Sequence, residues 1–306
     1  MSGRRTGAVA LGNFDGVHLG HQAVLARARA RAAEAGGRSA VLTFDPHPSA
    51  VLRPEGPPPL LTPTSERTAR LHALGIDDVH TLTFDRALAA LEPEVFVGEV
   101  LWPRLRPAWV VVGENFTFGR RARGRPADLA RLGERLGFAV EVVPRLLREG
   151  APVSSSRVRE RIHEADLAAA ARLLGRAYAV VGTVVHGAGQ GRELGVPTAN
   201  VVPPPDKCLP PEGVYAARVR LADGRLLPAA ADLGRRPTFE ADGDLRLEVH
   251  LLEGGGQDLY GQEIEVMLVR YVRPDRAFAD ASALKAAIAE DVRTIRALLA
   301  DAPTEH

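Results

Sequence analysis

The periodicity of apolar residues changes once along these 306 residues, and that change restricts the chain to a two-part fold. From residue 8 to about 175, short apolar runs alternate with stretches of strong helix formers, as in a doubly wound parallel α/β sheet. Strands are expected at 8–11, 39–44, 79–84, 108–112 and 140–143, with helices at 22–30, 64–73, 91–100 and 166–174. Beyond 175–179 the runs become short and alternating, separated by Gly- and Pro-rich turns. That pattern predicts a small antiparallel β-barrel with strands at 180–185, 214–221, 227–233, 245–252 and 264–272 and a terminal helix over 282–299. The expected domains are 1–177 and 178–306.

The first strand runs into Gly12-Asn13-Phe14-Asp15-Gly16-Val17-His18-Leu19-Gly20-His21, and a helix follows. A strand-to-helix turn offers an anion the free N–H groups and positive end of a helix. Gly12 and Gly16 let the backbone turn and approach a ligand, which makes Gly12, Asn13, Phe14, Asp15 and Gly16 candidate nucleotide-binding residues. His18 and His21 are spaced to share one helix face, where two imidazole donors suit a phosphate gaining charge in a transition state. The plain alternative is a chance pair of surface histidines.

Further motifs lie where a doubly wound sheet binds ligands, beyond the carboxyl ends of its strands. Asp45-Pro46-His47-Pro48 follows the second strand, and Gly113-Glu114-Asn115 follows the fourth. Arg120, Arg121, Arg123 and Arg125 come next, as solvated surface or a phosphate site. Ser154, Ser155, Ser156 and Arg159 open a helix, either as plain caps or as donors to a triphosphate tail. In the second half, a loop containing Gly187, Gly189 and Gly195 leads into Pro197-Thr198-Ala199-Asn200. Glycine N–H groups cradle phosphates, and the Thr198 and Asn200 oxygens suit Mg²⁺; a flexible hairpin is the alternative. In residues 245–251 the apolar positions alternate, so Arg246, Glu248 and His250 share the other face. That face is either simply solvated or carries Glu248 as a base for a substrate hydroxyl.

The bulk numbers exclude some classes. With 39 basic and 38 acidic residues, no net field draws in nucleic acid or a membrane. The single cysteine, Cys208, forbids an internal disulfide and fits a reducing compartment. No stretch reads as a signal peptide or bilayer span, so a cytoplasmic location is expected.

The segments 12–21, 43–48, 112–119 and 153–159 together resemble the adenylyltransferase module of bacterial bifunctional riboflavin kinase/FAD synthetases, a branch of the H-x-G-H nucleotidyltransferases. Segments 197–200, 212–215, 233–239, 247–252 and 258–261 resemble its riboflavin kinase module, in the family's order. The resemblance implies ATP-dependent phosphorylation of riboflavin to FMN, then adenylylation of FMN to FAD with loss of pyrophosphate. It implies ATP as co-substrate with Mg²⁺, and riboflavin, FMN and FAD as the other partners. His18, His21 and Arg159 would serve adenylyl transfer, with Ser154–Ser156 on the leaving group. Glu248 would be the kinase base, Thr198 and Asn200 would hold Mg-nucleotide beside Pro197, and Asp45, His47, Asn115 and Arg236 would contact flavin. Two departures stand out: Ser156 replaces the usual threonine, and Asp232 the usual asparagine. The competing readings are a chain with one working module and a flavin-sensing regulator that binds nucleic acid.

Overall fold

The computed structural model describes residues 6–186, 196–235, 245–254, 258–276 and 278–301. The chain divides into two compact units, Met1–Ser155 and Ser156–His306. This division falls upstream of residue 177 because the helix Leu167–Leu174, N-capped by Asp166 and closed by Gly175, packs on strands of the second unit.

The first unit holds five parallel strands, β1 (Thr6–Leu11), β2 (Arg38–Asp45), β3 (Asp78–Thr83), β4 (Trp109–Gly113) and β5 (Ala139–Val143), in the order β3-β2-β1-β4-β5. The strands run inward to outward from β1 in both directions, so the chain reverses its winding between β1 and β4. The crevice at such a switch point lies at the carboxyl ends of those two strands. Both faces of the central strands are buried. Val9, Leu11, Val110 and Val112 pack with Phe96, Val97 and Leu101 on one side. Ala10, Val41 and Val111 pack with Val24, Leu25 and Ala28 of helix α1 (Leu19–Glu34) on the other. Each buried valine or leucine contributes about 1.5–3 kcal/mol, which fixes the sheet on which the turns are mounted. The helix expected over 91–100 is longer and broken: Pro93–Val95 passes into a wide π-type turn at Phe96–Leu101 and on to Trp102–Leu105. A two-stranded ribbon, β6 (Leu147–Arg148) and β7 (Ala151–Pro152), follows the sheet.

The second unit is a closed antiparallel barrel of β8 (Tyr178–Val185), β9 (Ala199–Val202), β10 (Gly213–Arg220), β11 (Leu226–Arg235), β12 (Leu245–Leu251) and β13 (Glu263–Arg273), in the order β10-β11-β12-β9-β8-β13. Strand β9 was not among the strands expected from the sequence. Tyr215, Ala217, Val219, Ala231, Leu233, Leu247 and Val249 fill the barrel's interior. Val214 and Ala216 point outward and are covered by Ile295 and Leu299 of the terminal helix Ala281–Ala300.

Candidate functional site

The turn after β1 is built for one conformation. Gly16 has φ +83°, and a Cβ there would sit 2.6 Å from Leu61 Cδ1, so only glycine fits without movement. Phe14 and Val17 also lie at positive φ, 52° and 44°, a cost that a surrounding lattice of bonds must offset. That lattice is present. Asp15 is buried, and its carboxylate accepts from the Thr62 N–H at 3.0 Å. Thr62 Oγ1 in turn accepts from the Gly16 N–H at 2.8 Å, Thr43 Oγ1 donates to the Asn13 carbonyl at 3.1 Å, and Gln22 Nε2 donates to the Val17 carbonyl at 3.0 Å. The side chains of Phe14 and Asp15 therefore face inward and shape the turn.

The two histidines meet, though not as neighbours on a helix face. His18 is the N-cap of α1, extended at ψ 169°, and its Nδ1 accepts the His21 backbone N–H at 3.2 Å. A neutral His18 consequently carries its proton on Nε2. The rings stack 3.6 Å apart at 13°. Their mutual repulsion opposes double protonation. Burial first, then the nearby His18 and Arg67, push the His21 pKa well below the usual 6.5. His21 Nδ1 is buried with no hydrogen-bond partner among the described residues.

Two further segments reach this turn, and a third follows the neighbouring strand β4. Asn13 Nδ2 lies 3.4 Å from His47 Nε2, so the loop after β2 reaches the first turn. His47 also caps the short helix Pro48–Leu52, and Asp45 accepts from Thr64 Oγ1 at 2.9 Å. Ser155 Oγ donates to the Asp15 carbonyl at 2.9 Å, which brings the serine motif to the same place. Ser156 and Arg159 follow within the helix Ser155–His163. Asn115 is exposed in the loop at the carboxyl end of β4. Of the arginines after it, Arg120 pairs with Glu92 at 3.2 Å and Arg123 lies 3.9 Å from the same carboxylate.

In the second unit, strand register gathers the polar groups. Asn200, Glu248, Asp232 and Val214 form one row across β9, β12, β11 and β10, because Glu248 pairs with both Asn200 and Asp232, and Asp232 with Val214. Directly opposite residues have Cβ atoms about 5 Å apart, so these side chains stand side by side. Arg246, Glu248 and His250 share the outer face, as their alternation with Leu247 and Val249 requires. That face is not simply solvated. It lines a cavity of about 400 Å³ together with Thr198, Asp232, Arg273, Phe278 and Asp291. His250 Nδ1 lies 2.9 Å from the Pro197 carbonyl and holds the strand entry against β12. Arg273 grips Asp291 of the terminal helix with two nitrogens, at 2.9 and 2.7 Å. That pair raises the Arg273 pKa further, with help from Asp232. Gly187, Gly189, Gly195 and Arg236 lie outside the described residues.

One unit thus offers a stacked histidine pair over a helix N-terminus, and the other a carboxylate in a cavity wall beside hard oxygen donors. The comparisons with known proteins divide the chain the same way. Residues 2–157 match the FAD synthetase family model and residues 174–299 the riboflavin kinase model. A protein from Pseudomonas fluorescens, a bifunctional riboflavin kinase/FMN adenylyltransferase, is 41% identical over 97% of this chain and 93% of its own length. The chain belongs to the bifunctional riboflavin kinase/FMN adenylyltransferase family. Members from Listeria monocytogenes and Escherichia coli K12 are 36% and 37% identical, covering 95% and 94% of this chain and 92% and 90% of theirs. A solved structure described as a macrolide-efflux protein from Streptococcus pneumoniae matches with a TM-score of 0.85 at 28% identity, covering 97% of this chain and 95% of that one.

Within this family framework, sequence reasoning missed Thr43, Thr62 and Arg67, which carry the turn from below. Arg67, Leu71 and Leu74 share helical spacing with the buried Leu71, so Arg67 stands where an apolar residue is expected. That misplaced charge was the available signal.

Proposed function

We propose that the chain makes FAD from riboflavin in two ATP-dependent steps, with adenylylation assigned to residues 1–177 and phosphorylation to residues 178–306. The observation that carries this reading is the presence of two chemically different sites on two units that match two transferase families.

In the kinase step Glu248 accepts the proton of the riboflavin 5′-hydroxyl as that oxygen attacks the γ-phosphorus of ATP, the bond to the β,γ-bridging oxygen breaks and ADP leaves. Its place on a rigid strand, with a cavity in front, supports this role. Thr198 and Asn200 would hold Mg²⁺; Thr198 lines the cavity and the buried Asn200 stands opposite Glu248, a hard oxygen set that fits the ion. When bound, the ion neutralises phosphate charge.

In the second step an FMN phosphate oxygen attacks the α-phosphorus of ATP and pyrophosphate leaves. FMN is already an anion, so no strong base is needed. His18 donates through Nε2–H, and His21 and the first N–H groups of α1 join it at the charge that develops on the α-phosphoryl oxygens. Ser154, Ser155, Ser156 and Arg159 serve the departing pyrophosphate. The backbone of residues 12–16 takes the nucleotide, and Asp45, His47 and Asn115 take the flavin side. On this reading riboflavin, FMN, FAD and ATP are the partners, without nucleic acid or membrane, in the cytoplasm. Among the described residues no helix is long and apolar enough to cross a membrane.

The test is a chromatographic time course with riboflavin, ATP and Mg²⁺. FMN should appear first and FAD second. Formation of FAD from supplied FMN but no FMN from riboflavin would leave only the adenylyl module standing.

A further inference from the structure

Thr198 stands just outside the strand pair that forms one wall of the second unit's cavity. Strand β9 pairs with β12 through Val201 with Leu247, Asn200 with Glu248 and Ala199 with Val249, and the pairing ends there. Pro197 has no N–H with which to carry it on. One place further in the same register, Thr198 faces His250, on the side of the sheet that carries Asn200 and Glu248. A side chain continues what the backbone cannot: His250 Nδ1 lies 2.9 Å from the Pro197 carbonyl. A carbonyl only accepts, so Nδ1 carries the proton and donates it. On its other flank His250 is paired with Ala230, whose methyl offers the ring no polar partner. Thr198 is therefore bracketed by Ala199, held in the ladder, and by a proline whose carbonyl is bound from β12. Thr198, Glu248 and His250 line the same cavity.

We propose that His250 is a positioning residue for riboflavin phosphorylation: its Nδ1–H, bound to the Pro197 carbonyl, holds Thr198 on the cavity face beside Asn200 and at a fixed separation from Glu248. The inference rests on the kinase reading of this cavity, in which Thr198 and Asn200 face the metal-bound nucleotide and Glu248 the riboflavin hydroxyl. Residues two apart share a face only while the backbone stays extended, so a loosened end would turn the Thr198 hydroxyl away from Asn200. Phosphoryl transfer depends on the nucleotide side and the base side being set against each other, and a misplacement of about 1 Å costs on the order of a hundredfold in rate. The proline that stops the ladder thus makes a side-chain tether necessary, and His250 supplies it from the strand that also carries the base.

The test compares three replacements in the full chain. Asparagine places an amide N–H where Nδ1 stands, glutamine places one nearer to Nε2, and leucine has neither. Two quantities are read: amide hydrogen exchange over residues 196–201 without substrates or metal, and FMN formation against ATP, riboflavin and Mg²⁺. His250→Leu and His250→Gln should exchange about fivefold faster over that segment. Both should raise KM for ATP and the Mg²⁺ concentration for half-maximal rate about tenfold, with a smaller change in KM for riboflavin. His250→Asn should recover most of both. FAD formation from supplied FMN, read on the same samples, should stay at the parent rate. A folded His250→Leu protein with parent exchange, or with parent dependence on ATP and Mg²⁺, overturns the proposal. So does rescue by glutamine rather than asparagine, which would mean that Nε2 touches substrate in the cavity. Should His250→Leu fail to fold, His250→Gln carries the comparison. A parent chain that forms no FMN refutes the kinase reading, and exchange in the variants then shows separately whether His250 tethers the segment.

Discussion

Replacing Gly20 by alanine separates stability from catalysis in one substitution. Gly20 lies in the first turn of α1 at a backbone conformation open to any residue, so the helix itself favours alanine. The full interior gain is about 1 kcal/mol, and a first-turn position should realise roughly half of it. For a unit of this size that raises the melting temperature by about 1–2 °C. The added Cβ, however, would lie 3.2 Å from both Cε1 and Nδ1 of His18 and 3.6 Å from the Val153 carbonyl. Contacts that tight are relieved by moving the ring a few tenths of an ångström. His18 is stacked on His21, so the shift misaligns the pair and should lower kcat for FAD formation about tenfold. Thermal unfolding and separate FMN and FAD assays read both effects, and FMN formation should be unchanged. A Gly20→Ala protein with full FAD synthesis would refute the claim that this position is glycine to leave His18 room.

Other substitutions probe the remaining links. His21→Ala should abolish FAD formation and spare FMN formation, and Glu248→Gln should do the reverse, both read by chromatography; a normal kinase rate in the latter removes Glu248 as base. Because His21 is held neutral in the fold, the native state binds fewer protons than the unfolded chain once pH falls below the ordinary value of 6.5. Stability should therefore be lost as pH drops through and below that point. Denaturation curves at pH 5.5 and 7.5 should show a smaller difference in His21→Gln than in the parent. Asp291→Asn breaks the two-nitrogen grip of Arg273 on the terminal helix, and the partly buried guanidinium loses its counter-charge. On the order of 2 kcal/mol of barrel stability should go with it, below the cost of a fully buried pair, and riboflavin phosphorylation should weaken because the pair lines the cavity.

How much of this was legible beforehand depends on whether the information was periodic. The parallel sheet and the barrel were readable because apolar runs with a period of two or 3.6 residues report burial directly. The face shared by Arg246, Glu248 and His250 followed from alternation alone. That this face lines a cavity did not, since its far wall comes from Phe278 and Asp291, distant in sequence. Strand β9 was missed because Pro197 and the prolines after Val202 mask four residues whose pairing is decided by β12 and β8. His18 and His21 were expected to meet through helical spacing. They meet because His18 caps the helix from outside it, a detail of φ and ψ that spacing does not encode. Arg67 was passed over because a charge reads as surface, although its spacing with Leu71 placed it on the buried face of its helix.

The row of side chains on β12 has a consequence for how such a catalyst changes over generations. Leu247 and Val249 answer only to the interior of the barrel, and Arg246, Glu248 and His250 only to the cavity outside it. Two selective pressures are interleaved along one strand without sharing a residue. A lineage can therefore retune what the kinase accepts at every second codon while the codons between keep the barrel intact. A single-residue deletion inside the strand is the one kind of change that fails both demands at once.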